Sequence, residues 1–352
     1  MIFSIGRALL GSPFRGLASA LGGLALLAGA ASAQPTAEDP VVMRLSHAYA
    51  TVAQHHANML YFKEEVEKRT GGRMVVDIFP ASQLMPITQE INGMLSGQID
   101  AAYTLNTLAA TLDPLWGFFE LPFLFDITPS DQKHLRDFVK SEAGGGALRA
   151  SMEARGIKVL AIAPTDMVGA LINTKRPVRS IEDLAGLKMR TPGGKYLGRS
   201  FELLGASPIS MAYAEFSSAI VQGTVDGTVT GILFTYDNRI PVKYLSGVNL
   251  WYAGLPLLVS KRFFDSLPQD IQQVLVEVGS DLEDYGFDVT ERRAAEVLRL
   301  IGTEMGVEVE PPLDDATIQS MREATQSVLA DFVKANPGGQ ALIDEAERLR
   351  PN

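Results

Sequence analysis

Cysteine is absent from the 352 residues, which excludes disulfides, thiolate metal sites, thiol catalysis and a lipid anchor on an N-terminal cysteine. Histidine is scarce, with only His47, His55, His56 and His134. The chain has no G-x-S-x-G elbow, no P-loop and no H-E-x-x-H. No enzymatic role, cofactor or metal is therefore expected. Positive charge is also short, with 31 Lys and Arg against 41 Asp and Glu and a formal charge of −10. That balance argues against nucleic acid and anionic membrane surfaces as partners. No low-complexity tract occurs. The apolar run from Leu17 to Ala30 is shorter than the roughly 20 residues a bilayer span needs, and it is rich in glycine.

That run sits in an export pattern instead. Arg7 and Arg15 make a positive start, and Ala31-Ser32-Ala33 supplies the small-x-small cleavage pattern, so residues 1–33 are read as a signal peptide cut after Ala33. Residues 34–40 are polar with two prolines and read as a tether. Removing Arg7 and Arg15 leaves a charge of about −12 on roughly 320 residues, more than one core usually serves. Two lobes and a freely diffusing periplasmic protein are expected.

The fold starts near Val41. A strand over Val42–Ser46, a helix with His55, Met59, Phe62 and Val66 on one face, and a strand over Met74–Phe79 spell a βαβ unit, hence an α/β class with parallel pairing. Gly97-Gln98-Ile99-Asp100-Ala101-Ala102-Tyr103-Thr104 is echoed by Gly223-Thr224-Val225-Asp226-Gly227-Thr228-Val229-Thr230. Each follows an amphipathic helix, each glycine suits a left-handed helix end, and each then enters a strand. A duplicated lobe-building unit and a common helix-to-strand connection both account for the echo. A long helix is expected from Pro268 to about Glu304, with Ser266 or Asp265 as cap and Gly279 and Gly286 as bends. Helices over Ala316–Lys334 and Gln340–Arg348 close the chain.

Chemistry concentrates after Ser180. A capped turn leads into a short strand ending on Arg190, and Thr191-Pro192-Gly193-Gly194 then opens a new helix, which sets the guanidinium at a strand's carboxyl end beside backbone N–H groups. Such a fork grips a carboxylate through two hydrogen bonds; a surface ion pair is the alternative. His55 and His56 are adjacent, about 100° apart on a helix, which suits packing better than shared metal ligation. His47 ends the first strand, where a pocket contact fits. Trp116, Phe118 and Phe119 read as core, while Trp251 and Tyr252 lie on the crossing between lobes and suit either core or pocket.

The string Asp183-Leu184-Ala185-Gly186-Leu187-Lys188-Met189-Arg190, with Gly205-Ala206-Ser207-Pro208, Met211-Ala212-Tyr213-Ala214-Glu215 and Gly223-Thr224-Val225-Asp226-Gly227, resembles the DctP-type solute-binding proteins of TRAP transporters. Pro80-Ala81-Ser82-Gln83-Leu84 and Glu120-Leu121-Pro122-Phe123 belong to the same resemblance, which spans nearly the whole mature chain. It implies a two-lobe periplasmic binding protein fold, type II-like, with crossing strands and a long bracing helix. Lobe I is assigned to residues 41–165 and 252–285, and lobe II to 166–251 and 286–352. It also implies that the lobes close over a small organic carboxylate, that Arg190 holds the carboxylate and Tyr213 lines the pocket, and that TRAP membrane subunits receive the ligand. The same fold presenting ligand to a sensor or an ABC-type permease is the alternative.

Departures from the pattern narrow the cargo. Many relatives place Glu-Asn-Pro after Val-Asp-Gly, where this chain has Val229-Thr230-Gly231. A second arginine of sialic-acid binders is replaced by Ala170 or a neighbour, and a Glu and Arg of other relatives read as Leu105-Asn106 and Leu108. A monocarboxylate with an apolar or aromatic part is the expected ligand. Its expected contacts are Arg190, Tyr213, Thr230, Asn106, Phe234, Trp251, His47 and Tyr49. A monomer is expected.

Overall fold

The computed structural model describes residues 39–128, 130–164, 169–248, 250–252 and 254–351. The signal peptide and most of the tether lie outside the described residues. The chain opens with β1 (Val41–Ser46), α1 (Gln54–Arg69) and β2 (Met74–Phe79), then α2 (Glu90–Ser96), β3 (Ala101–Tyr103) and α3 (Asn106–Leu112). A 3-10 turn over Pro114–Glu120 leads to α4 (Lys133–Lys140), α5 (Ala147–Glu153) and β4 (Ile157–Pro164). The next stretch runs β5 (Gly169–Asn173), β6 (Lys188–Thr191), α6 (Lys195–Leu203), β7 (Ser207–Ser210), α7 (Tyr213–Val221), β8 (Gly227–Gly231), α8 (Ile232–Asp237) and β9 (Tyr244–Gly247). The last part holds β10 (Gly254–Ser260), α9 (Lys261–Ser266), α10 (Gln269–Met305), β11 (Glu308–Val309), α11 (Asp315–Ala335) and α12 (Gly339–Arg348).

Two sheets result, in the orders β2-β1-β3-β10-β4 and β11-β9-β5-β8-β6-β7. In the first, β1 runs parallel to β2 and β3, and β10 is antiparallel to β3 and β4. In the second, β6 runs parallel to β7 and β8, and β5 is antiparallel to β8 and β9. Read from opposite edges, the first five positions match strand for strand. The chain crosses between the sheets three times, from β4 to β5, from β9 to β10 and, through α10, from β10 to β11, so the first sheet contains one strand, β10, that follows most of the second sheet in sequence.

The echoed segments are one joint built twice. Gly97 (φ 81°) and Gly223 (φ 70°) end their helices in the left-handed region, where a side chain is strained. Gln98 N–H donates to Gly93 C=O at 2.8 Å and Thr224 N–H to Ala219 C=O at 2.9 Å. Asp100 Oδ2 accepts from Arg44 N–H at 2.9 Å, and Asp226 Oδ2 accepts from Lys188 N–H at the same distance. Arg44 and Lys188 then donate from their side chains to the carbonyls of Gly97 and Gly223.

Helix α10 spans 37 residues, about 55 Å at 1.5 Å per residue. Ile271, Leu275, Val278 and Leu282 pack with the first sheet, and Ala294, Val297 and Ile301 with the second. It runs unbroken through Gly279 and Gly286. A Cβ at Gly279 would run into the Leu160 carbonyl, so this glycine permits close packing on β4. Pro268 is its N-cap, and neither Asp265 nor Ser266 caps it. Trp116, Phe118 and Phe119 form an aromatic core with Phe138 and Tyr252, whose hydroxyl donates to Phe125 C=O at 2.8 Å. Sequence alone assigns residues 286–352 to the second lobe. Leu342 and Ala346 of α12, with Val328 and Phe332 of α11, pack into this first-lobe aromatic cluster instead, because the apolar stripes of these helices face it.

Candidate functional site

Strand β6 presents Arg190 one residue before its end, paired with Ile209 on one side and Thr228 on the other. Its Nε donates to Met211 C=O at 3.1 Å, and its own carbonyl accepts from Thr228 Oγ1 at 2.9 Å. The residue is only 5 % exposed, and no carboxylate of the described residues pairs with it. Burial pushes the guanidinium down to about 10, with Tyr213 and Tyr49 pulling the other way, so it stays charged at neutral pH. A buried cation without a counter-ion carries a desolvation penalty of several kcal/mol. An anionic ligand removes that penalty.

The guanidinium borders a cavity of about 50 Å³. Of the expected contacts, Arg190, Tyr213, Thr230, Phe234, Trp251 and Tyr49 line it. The other two do not. His47 is buried behind them: Tyr49 N–H donates to its Nδ1 at 3.1 Å, which puts the ring proton on Nε2, 3.1 Å from His56 Nδ1. Asn106, at the start of α3, is buried outside the lining, its amide O and N without partners among the described residues.

Five further lining residues lie outside the expected set: His55, Leu105, Pro192, Gly231 and Leu255. His55 shares the apolar stripe of α1, which reads as packing. Leu105, Pro192 and Gly231 stand beside recognised motif positions. Leu255, on the crossing strand β10, carries no signal in the sequence.

The cavity wall is aromatic. His55 stacks on Tyr49 with centroids 4.1 Å apart and meets Phe234 edge-on at 5.9 Å, while Tyr213 meets Phe234 at 4.7 Å. Burial and the neighbouring His47 push His55 down to about 3, so its ring is neutral and, among the described residues, Arg190 is the one charged side chain of the lining. Tyr213 donates its hydroxyl to Asn238 Oδ1 at 2.7 Å. The Tyr49 hydroxyl, Trp251 Nε1 and His55 Nδ1 are buried without partners among the described residues. Ala170, in the region where the resemblance has a second arginine, pairs with Thr230 across β5 and β8.

The sequence sets Arg190 beside backbone N–H groups at the start of the following helix, and there one of them is already engaged. Tyr196 N–H at the start of α6 donates to Glu120 Oε2 at 2.9 Å, so a carboxylate of the protein fills that position. Two larger hollows, of about 410 and 480 Å³, share Phe123, Gln319 and Arg322. Their arginines Arg322 and Arg350 both pair with Asp126, which leaves no unbalanced charge for a small acid. Among the described residues, no group of three or more His, Asp or Glu side chains is placed to hold a metal ion.

The family described as bacterial extracellular solute-binding protein, family 7, matches residues 45–336. The C4-dicarboxylate-binding periplasmic protein DctP of Rhodobacter capsulatus is 30% identical over 271 residues, covering 75% of this chain and 78% of that protein. A TRAP periplasmic solute-binding protein from Shewanella oneidensis, solved with bound succinate, superposes with TM-score 0.79 at 25% identity, covering 89% of this chain and 100% of the other. Another from Desulfovibrio salexigens, solved with bound orotic acid, has TM-score 0.78 at 25% identity over 88% of this chain and 99% of its own.

Proposed function

This chain belongs to bacterial extracellular solute-binding protein family 7, the DctP-type periplasmic solute-binding proteins of TRAP transporters, and from that premise we propose that it captures a small organic monocarboxylate with an apolar body. It delivers this acid to TRAP membrane subunits. The protein works as a periplasmic monomer after cleavage at Ala33. Among the described residues no helix is long and apolar enough to cross a membrane.

The observation that carries the reading is Arg190, a buried guanidinium with no anionic partner among the described residues, bordering a small cavity in which it is the one charged lining residue of those described. One cation calls for one carboxylate. A dicarboxylate such as the succinate of the Shewanella protein would leave its second charge against Leu105 or the rings, which is costly without a partner. Size narrows the body of the ligand: about 50 Å³ is a third of the roughly 150 Å³ cavity that takes up a benzene, so a compact aliphatic body suits better than an aromatic one. The unpartnered Trp251 N–H and Tyr49 hydroxyl suit a carbonyl or hydroxyl oxygen beside the carboxylate.

The test starts from protein stripped of ligand by unfolding and refolding. Pyruvate, 2-oxobutanoate, phenylacetate and succinate are compared by thermal shift, then by calorimetry on wild type and Arg190→Met. The short 2-oxo acids raise Tm and succinate does not. Arg190→Met loses roughly 100-fold or more in affinity, yet raises the Tm of the ligand-free protein because an unpaired buried charge is gone. Undiminished affinity in Arg190→Met, or a preference for succinate, rejects the proposal.

A further inference from the structure

Two helices flank the cavity at equivalent places: α1 after β1 in the first sheet and α6 after β6 in the second. A helix start leaves four N–H groups unbonded and favours negative charge. Neither helix supplies its own side-chain cap, since the N-cap residues are Ala53 and Gly194. Each is served from across the molecule. Asp237, the last residue of α8, accepts from Gln54 N–H of α1 at 3.1 Å through Oδ2 and from Arg293 of α10 at 2.9 Å through Oδ1. Arg293 also donates to Gln54 Oε1 at 2.8 Å, closing the triangle.

In the opposite sense, Glu120 reaches from the aromatic cluster of the first lobe to Tyr196 N–H of α6 and is 1 % exposed. Gly194, at φ 90°, leaves the space for it, since a Cβ there would run into the carboxylate. Three residues on, Phe123 holds φ 54°, uncommon for a bulky residue, and packs in the second-sheet cluster with Leu171 and Met189. The Glu120–Phe123 motif is thus inserted from one half into the other.

We infer that Asp237 and Glu120 are positioning residues of the binding site, each capping the helix of the opposite half and so holding the two walls of the cavity in register. The capped residues lie close to the lining in sequence: His55 follows Gln54, and Pro192 precedes Tyr196 by four. The caps also occupy the two helix starts that would otherwise attract an anion, which leaves the ligand's carboxylate to Arg190. The inference rests on the proposed function only in taking this cavity as the ligand site. Its test reads N–H groups without ligand, so failure of the Arg190 experiment leaves it standing.

Amide exchange is measured by NMR on the mature chain and on Asp237→Ala, Glu120→Ala, Asp237→Asn and Glu120→Gln. Asp237→Ala speeds exchange at Gln54 and His55 at least tenfold and leaves Tyr196 and Leu197 within threefold; Glu120→Ala does the reverse. The Asn and Gln variants, which keep an acceptor, recover most of the protection. The Arg190 Nε–H and Trp251 Nε1–H signals in the cavity wall shift in both alanine variants and return in the Asn and Gln variants; unchanged exchange at the opposite helix, a uniform rise over the whole chain, or wild-type Arg190 and Trp251 signals in both alanine variants overturns the inference. If an alanine variant does not fold, Asp237→Glu and Glu120→Asp, which shift the charge by one methylene, carry the test: faster exchange confined to the opposite helix supports it and wild-type exchange overturns it.

Discussion

At Gly97 and at Gly223 the chain makes the same turn, Asp100 and Asp226 each accept one strand N–H, and each segment enters a strand beside an equivalent parallel neighbour, β1 or β6. Beyond Thr104 it enters α3, whose Asn106 stays outside the cavity. Beyond Thr230 it reaches Gly231 and Phe234 in the cavity wall. The second sheet supplies the charge, through Arg190, with Thr230 and Tyr213. The first supplies Tyr49, the neutral His55, Leu105 and the crossing-strand Leu255. Equal backbones therefore do not imply equal chemistry: the charged lining residue, Arg190, comes from the second sheet alone, while both halves contribute rings, Tyr213 and Phe234 from the second and Tyr49 and His55 from the first.

Titration sharpens the contrast most. Burial pushes Glu90, which accepts from Ser46 Oγ, up to about 7, and pushes His47 down to about 4 and His55 to about 3, all on the first-sheet side. An acid raised from 4.5 binds its proton more tightly when folded, so its contribution to stability is present below pH 4.5 and lost as pH rises to about 7. The two histidines act oppositely: their contribution is present above 6.5 and is lost as pH falls through 4 and 3. Glu90→Gln is expected to gain about 3 kcal/mol relative to wild type between pH 4 and pH 8 in urea unfolding. An equal pH profile in the two proteins breaks the assignment.

The repeated joint is tested next. Gly97→Ala and Gly223→Ala each force a side chain into the left-handed region and are expected to cost about 1 kcal/mol in denaturation midpoint analysis. Gly97 costs somewhat more, because its Cβ would meet the Arg262 guanidinium whereas Gly223 has open space. A neutral outcome at one site alone ends the equivalence of the two joints. The smallest effect belongs to the ring wall. Tyr49→Phe removes a hydroxyl without a partner among the described residues, so ligand-free stability holds while affinity for the best 2-oxo acid falls by about tenfold or less. A loss matching that of Arg190→Met would break the assignment of the dominant contact to the second sheet's arginine.

Much of this is legible in the chain. The βαβ start, the two joints, the long helix and the Arg190 strand follow from local periodicity, turn residues and motif spacing, and the structure places their ends within a few residues of those expectations. The site is half legible. Arg190, Tyr213 and Thr230 stand in motifs, and Phe234, Trp251 and Tyr49 also line the cavity. His47 and Asn106 are misplaced by sequence because a residue at a strand's end faces either the cleft or the packing behind it, and one-dimensional spacing does not choose. His55 reads as core since a buried neutral ring and a pocket ring share the same helical stripe.

By itself the sequence determined the absence of cysteine chemistry, the α/β alternation, the turn at each echoed glycine and the presence of one arginine at the end of a short strand motif, because these depend on residue type and near neighbours. Tertiary structure alone decided that Arg190 is buried without a counter-ion among the described residues, that α12 packs in the aromatic cluster of Trp116 and Phe118, and that Glu120 and Asp237 each cap a helix 75 or more residues away. Burial and charge balance are properties of what surrounds a group in space, and three crossings between the sheets bring together residues that no local pattern connects.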